Sequence, residues 1–212
     1  MKNPLVSVVI PVYNSASTIE ACLGSVIGQS FKDFEVVVVD NNSTDGTRSM
    51  VKRAQKKDGR VRCILEKVQG RGPARNKGLR SAKGEVMAWT DSDCTVPSDW
   101  LEKLARPILD GKADAVQGGQ SSMVDGLWSR LAQRADLRHF GSQVYKKKYI
   151  DHVDTKNLGI RKSVWSRPGA SIRGFVPLRI SSLRFGSRRP GARYCICLTS
   201  RSNTDIGPRS GH

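Results

Sequence analysis

No stretch of this 212-residue chain approaches the ~18 consecutive apolar residues that a membrane-spanning helix needs. The amino terminus, MKNPLVSVVIPVY, has one Lys and a short apolar run. It lacks the long apolar segment and small-residue cleavage site of a secretory signal. A cytoplasmic location is therefore expected, extending at most to the cytoplasmic face of a membrane. The five cysteines are an odd number: Cys22, Cys63 and Cys94 stand alone, and Cys195-x-Cys197 has no further Cys or His at zinc spacing. That odd count, with no secretion signal, argues against a disulfide framework, and the spacing weighs against a structural metal. His139 and His152 show no ligand spacing. Hydrophobic residues make up 38% of the chain, low for a compact enzyme but above the range of disordered chains, and the length is enough to bury a core.

Acidic residues are scarce in one place only. The net charge is +17, with 36 Lys and Arg against 19 acids. Residues 166–212 hold nine Arg, no Lys and a single acid, Asp205. The first 165 residues carry 18 of the acids interspersed among the other cations, so the excess is not one coherent patch. No nucleic-acid-binding motif accompanies it, and a nucleic-acid partner is not expected.

The ordered part of the sequence alternates. LVSVVIPVY (5–13) is a β-branched run of buried-strand type. Ser17 to Glu20, STIE, has the form of a capping box, and Ile19, Leu23, Val26 and Ile27 follow at helical spacing. FEVVVVD (34–40) is continuously apolar, as a strand covered on both faces must be. NNSTDGT then reads as a turn leading into a helix. VRCILE (61–66) is a third strand, Pro73 suits a first helical turn, and a helix is expected through about Ser81. EVMAWTD (85–91) is a fourth strand; Asp99 and Glu102 are expected to cap another helix, and ADAVQGG (113–119) is a fifth strand. Four strand–helix alternations predict an α/β fold with a mostly parallel, Rossmann-like sheet.

Ligands of such sheets sit outside the carboxyl ends of the strands. Those ends carry Tyr13 and Asn14; Asp40, Asn41 and Asn42; QGRGPARNKG (69–78); and Asp91, Ser92 and Asp93. Gly70-x-Gly72-x-x-Arg75 lacks the third glycine of a dinucleotide fingerprint and follows the third strand rather than the first. Its Arg71 and Arg75 still flank a helix amino terminus, which suits an anion. Asp91 and Asp93 are either a solvated turn before a helix or a site for Mg2+ or Mn2+, which prefer few carboxylates plus phosphate oxygens.

Two longer segments tip that balance. VSVVIPVYNSASTIEACLGSVIGQSFKDFEVVVVDNNSTDGT and GPARNKGLRSAKGEVMAWTDSDC resemble the opening of family 2 glycosyltransferases, enzymes of GT-A fold that use a nucleotide sugar, invert the anomeric centre and usually need a divalent metal. The resemblance runs from about Val6 to Asp93, weakens over 94–150, and returns in DTKNLGIRKSVW (154–165). It implies that Pro11, Val12 and Tyr13 border the nucleoside and that Asp40 accepts a hydrogen bond from the base, often uracil. It also implies Arg71 and Arg75 near the diphosphate or ribose, Asp91 on the ribose or sugar, and Asp93 on Mg2+ or Mn2+. The partners expected are a UDP-sugar and a saccharide or lipid-linked acceptor.

The family's general base is a carboxylate a few tens of residues beyond the N-x-x-x-R-K/R segment. Here no Glu follows Trp165 and Asp205 is the only acid; it serves only if the tail folds back over the sugar site. The reading is a nucleotide-sugar-binding half (1–118), a partial acceptor side (119–165) and an Arg/Ser-rich tail (166–212) that departs from the family, as a reading-frame shift near Trp165 would produce. Translation of the coding DNA in its other frames tests that. Leu127, Trp128 and Leu131 share a helical face on the acceptor side, and Lys146 to Lys148 are candidates for contact with an anionic membrane. A non-catalytic nucleotide-sugar-binding remnant and, further off, a basic nucleic-acid-binding protein are the alternatives.

Overall fold

The structure, a computed structural model, describes residues 2–118, 152–153, 156–165, 178–179 and 194–196. Strands β1 (Val6–Val12), β2 (Phe34–Asp40), β3 (Val61–Leu65) and β4 (Val86–Thr90) alternate with helices α1 (Ile19–Ile27), α2 (Thr47–Lys57), α3 (Arg71–Ser81) and α4 (Trp100–Leu109). Then come β5 (Ala115–Gln117), β6 (His152–Val153), β7 (Asn157–Arg161), the short α5 (Lys162–Trp165), β8 (Leu178–Arg179) and β9 (Tyr194–Ile196). The main sheet has the order β3-β2-β1-β4-β7-β5-β9, and β6 pairs with β8 apart from it.

The continuous valine runs work as two interleaved faces, because side chains alternate across a strand. Val6, Val8, Ile10 and Val12 of β1, with Phe34, Val36 and Val38 of β2, join the core under α1, α2 and α4. Val9, Val37 and Val39 join a second core with Ala74 of α3 and Trp89. All seven residues of β2 are buried, as expected of a strand covered on both faces. β1, β2, β3 and β4 are mutually parallel. β7 runs antiparallel between β4 and β5, so β5 does not adjoin β4 as the simple alternation suggests. Among the described residues no helix is long and apolar enough to cross a membrane.

Two expected caps do not form. α1 begins at Ile19, and neither Ser17 nor its N-cap Thr18 makes a side-chain cap bond. The turn is closed instead by the Ser15 carbonyl, which accepts from the Thr18 and Ile19 amides. Asp99 is the N-cap of α4 but also makes no cap bond: its carboxylate pairs with Lys103 at 2.7 Å, and Glu102 pairs with Arg106 at 2.6 Å. At α4 a nearer partner takes the carboxylates that the sequence pattern assigns to the cap. The residues predicted for the acceptor face, 120–150, and Asp205 lie outside the described residues.

α3 lies unusually close to the sheet. A Cβ on Gly78 would come 2.3 Å from Cγ1 of Val9 and 3.1 Å from Cγ2 of Val39. Glycine alone permits this approach, which fixes where the amino terminus of α3 points relative to the ends of β1 and β2.

Candidate functional site

Val12 and Asp40 face each other in the β1–β2 register, and Asp91 directly follows β4 on the other side of β1. With neighbouring strands ~4.8 Å apart, the ends of β2 and β4 are separated by roughly 10 Å. The gap above β1 between those two ends is bordered by Tyr13, which is half exposed. Pro11 is partly buried, and the Val12 side chain is sealed in the core. Val12 therefore faces the gap only through its backbone, whose carbonyl accepts from the Asn41 amide at 2.8 Å.

Asn14 and Asn42 adopt left-handed backbone, with φ of 47° and 63°, a conformation asparagine tolerates better than most residues. Asn14 thereby reaches the turn after β2: its Oδ1 accepts from the Thr44 amide at 2.9 Å, and its own amide donates to Ser43 Oγ at 3.1 Å. Asp40 is fully buried. One of its oxygens accepts from the Ser43 amide at 3.0 Å, and the other pairs with Nε of Arg48 from α2. It does not cap α2, whose N-cap is Gly46.

Asn41 is the staple of the next loop. Its Nδ2 donates to the carbonyls of Glu66 (3.1 Å) and Val68 (2.7 Å), and its Oδ1 accepts from the Gly70 amide at 2.7 Å. Gly70, at φ 131°, turns the chain into α3. Arg71 is exposed on the first turn of that helix. Arg75, one turn on, is only 11% exposed, and its guanidinium meets Oδ1 of Asp91 at 3.3 Å. Arg75 Nε is buried with no hydrogen-bond partner among the described residues, an arrangement that costs free energy unless something else fills it.

The Asp91–Asp93 turn is held from below. Ser92 Oγ meets Ser15 Oγ at 2.8 Å, while the Ser15 amide donates to Thr47 Oγ1 at 2.7 Å. The Asp91 carbonyl accepts from the Cys94 amide at 3.2 Å and from the Cys22 thiol at 3.5 Å. Burial first, then the neighbouring Cys94, Asp93 and Asp91, pushes the Cys22 thiol up to about 12. Burial and then the same two carboxylates raise Cys94 to about 11. Both are neutral thiols at pH 7, which removes them as nucleophiles. Asp93 is exposed and forms no ion pair among the described residues.

The structure thus gathers Tyr13, Asp40, Arg71, Arg75, Asp91 and Asp93 along one edge. Sequence reasoning does not find Arg48 or Thr47, which depend on where α2 docks, or the Ser15–Ser92 contact, which joins loops 77 residues apart. The doubled asparagine after β2 was a visible signal for the Asn41 staple. Among the described residues no three His, Cys, Asp or Glu side chains form a cluster able to cage a metal. An ion there fits only as one shared between Asp93 and a phosphate-bearing ligand, the habit of Mg2+ and Mn2+.

The family model described as Glycosyl transferase family 2 matches residues 7–167, and the chain belongs to that family. It is 37% identical to glycosyltransferase AglE of Haloferax volcanii over 118 residues, covering 54% of this chain and 39% of the relative. It is also 37% identical over 112 residues to the GalNAc(5)-diNAcBac-PP-undecaprenol beta-1,3-glucosyltransferase of Campylobacter jejuni, covering 52% of this chain and 36% of the relative. The chain therefore spans well under half the length of these two relatives. A mannosyltransferase from Pyrobaculum calidifontis, solved with GDP-Man and Mn2+, superposes with a TM-score of 0.68 at 25% identity, over 93% of this chain and 57% of that one.

Proposed function

We propose that the chain binds a nucleoside-diphosphate sugar, a UDP-sugar foremost, together with Mg2+ or Mn2+, and serves transfer of the sugar to a saccharide or lipid-linked acceptor. The observation that carries this reading is the buried Arg75 guanidinium at the strand ends, paired with Asp91 and with its Nε unfilled. Anionic oxygens of a diphosphate would complete it. Pro11, the Val12 backbone and Tyr13 border the nucleoside; Asp40, buried and held by the Ser43 amide and Arg48, accepts from the base only if donor binding opens that contact. Arg71 supplies charge at the amino terminus of α3, where the helix dipole favours an anion. Asp91 takes the ribose or sugar, and Asp93 holds the metal. When bound, the metal offsets the charge that builds on the leaving diphosphate.

The acceptor hydroxyl must surrender a proton as its oxygen attacks the sugar carbon, which calls for a carboxylate base. None of the site carboxylates has this role: Asp40 and Asp91 are engaged with Arg48 and Arg75, and Asp93 serves the metal. The proposal is therefore of a donor-binding half with slow transfer. The single acid after Trp165 favours as second reading a nucleotide-sugar-binding chain without catalysis, which a transfer and donor-hydrolysis assay separates from the first. The lipid-linked acceptor is supported by the undecaprenol-linked substrate named for the Campylobacter jejuni relative.

Calorimetry with UDP, with and without Mn2+, on the parent chain and Asp93→Asn tests the donor site. Metal-dependent binding is expected, weakened in the variant by more than ~1 kcal/mol because a charged metal ligand is lost. Equal binding by both proteins removes Asp93 from the metal site, and tighter binding of GDP than UDP overturns the assignment of the base.

A further inference from the structure

The charge of the described region is lopsided across the sheet. Residues 47–83, which form α2, β3 and α3, contain thirteen Lys and Arg but only two acids, Asp58 and Glu66. Residues 84–118, at the opposite flank with β4, α4 and β5, contain seven acids and three cations. Among these cations Arg48 is paired with Asp40, Arg60 with Asp58, Arg62 with Glu35 and Arg75 with Asp91. Lys52, Arg53, Lys56, Lys57, Lys67 and Arg80 are exposed.

α2 has no acid in its first turn and none anywhere along its eleven residues. It sets Lys52 over Lys56 and Arg53 over Lys57, like charges four residues apart. Each such pair costs the helix a few tenths of a kcal/mol, so the arrangement works against the helix's own stability. Protection of the β3 edge from unwanted strand pairing does not require these cations. Arg62, on β3 itself, lies there paired with Glu35, and the Cys63 amide is covered by Gln55 Oε1 at 3.0 Å.

The same edge also exposes aliphatic surface. Of the three large hydrophobic side chains exposed among the described residues, two are Leu65 (39%) and Val68 (62%), on either side of Lys67. They lie at the carboxyl end of β3, in the loop that Asn41 staples beside the donor site. Cations backed by aliphatic residues match an anionic lipid surface, in which the cations meet headgroups and the aliphatic tips enter the interface. Single-stranded nucleic acid would call for stacking aromatics, and Tyr13 is the one exposed aromatic among the described large hydrophobics.

We infer that α2, β3 and the Leu65–Arg71 loop form a docking face for an anionic membrane surface, which brings the mouth of the donor site to the lipid headgroups. This deepens the proposal of a lipid-linked acceptor and rests on it for its purpose. The charge and exposure pattern stands without it.

The test is co-sedimentation of the full chain with vesicles of phosphatidylcholine alone or mixed with phosphatidylglycerol. It compares the parent, the fourfold variant Lys52→Gln/Arg53→Gln/Lys56→Gln/Lys57→Gln, Val68→Ser, and the control Lys103→Gln/Lys112→Gln on the opposite flank. At about fivefold per cation near the surface, the fourfold variant should lose on the order of several hundredfold in partitioning to the anionic vesicles. Val68→Ser should lose severalfold and the control almost nothing. UDP–Mn2+ binding, read in parallel, should be unchanged in all variants. Loss of UDP binding in the parent with vesicle binding as expected would sink the donor reading alone. A fourfold variant that partitions like the parent overturns the docking face, and so does tighter binding to oligonucleotide than to anionic vesicles, with Val68→Ser silent.

Discussion

Asp40 is buried without any solvent contact, and a carboxylate so placed keeps its charge only if another charge answers it. Arg48 is that answer, reaching across from the first turn of α2 to the oxygen that the Ser43 amide leaves free. Removing the cation while keeping most of its stem, as in Arg48→Met, leaves a buried carboxylate unpaired and should lower stability by about 3 kcal/mol. Adding Asp40→Asn should recover most of that loss, since the charge that needed compensation is gone. Urea unfolding of the two single variants and the double variant reads the coupling directly; a double variant as unstable as the sum of the singles would mean that the pair does not act as a unit. Asp40 was legible in the sequence as a polar group at a strand end. Arg48 was not, because seven residues of turn and helix separate the two and only the docking of α2 brings them together. Arg75 shows the same limit: its place after the third strand is written in the sequence, but its burial against Asp91 is a product of the packing.

At the scale of elements, the geometry of the site depends on how close α3 lies to the sheet. Gly78 sits where any side chain would strike Val9. Gly78→Ala would drive a methyl group into the core and should cost about 1–3 kcal/mol in urea unfolding, the usual range for overpacking. If α3 yields by lifting, Arg75 and the anion-facing first turn move with it, and UDP affinity should fall in the same variant. Destabilisation with unchanged affinity would show that the strain is absorbed elsewhere. The strands that frame this helix were legible because unbroken valine runs have few other uses in a chain of this composition. The antiparallel β7 was not legible as a sheet member: NLGIR is short, carries a polar residue at each end, and becomes a strand by pairing with both β4 and β5. The cap of α4 failed for a related reason. A capping box read from sequence assumes that the side chain has no better partner, and Lys103 is a better partner for Asp99 than a backbone amide.

Across the whole molecule the two ends of the sheet are built for different purposes. The carboxyl ends carry exposed and incompletely satisfied polar groups, Asp93 and Arg75 among them. The amino ends are closed by a compact network around Glu35, whose oxygens accept from Ser7 Oγ (2.7 Å), the Lys83 amide (2.7 Å) and Arg62 Nε (2.9 Å). Ser7 Oγ in turn accepts from the Gly84 amide at 2.8 Å, so β1, β2, β3 and the α3–β4 connection meet at one carboxylate. Burial opposes its ionisation, but the hydrogen bonds from Ser7, Lys83 and Arg62, together with the Arg62 charge, hold Glu35 below the ordinary glutamate range. A carboxyl whose pKa is depressed on folding adds stability at pH values above its unfolded pKa, and that contribution is lost as pH falls through the folded value. Glu35 should therefore stabilise the chain at pH 7 and cease to do so in the acid range below the ordinary glutamate value of about 4.3. Glu35→Gln should cost about 2 kcal/mol at neutral pH, where a charged, multiply bonded acceptor is replaced by a neutral one. It should cost progressively less as pH falls through the acid range below the ordinary glutamate value, so the acid limb of the stability curve becomes shallower. Asp93→Asn, at the other end of the sheet, should leave urea unfolding at pH 7 within about 0.5 kcal/mol of the parent, as expected of an exposed group away from any packing feature. Unfolding curves of the three proteins from pH 7 down through that acid range check both statements. Equal losses for Glu35→Gln throughout would show that the network holds by packing rather than by charge, and a large loss for Asp93→Asn would mean that the functional edge also carries the fold.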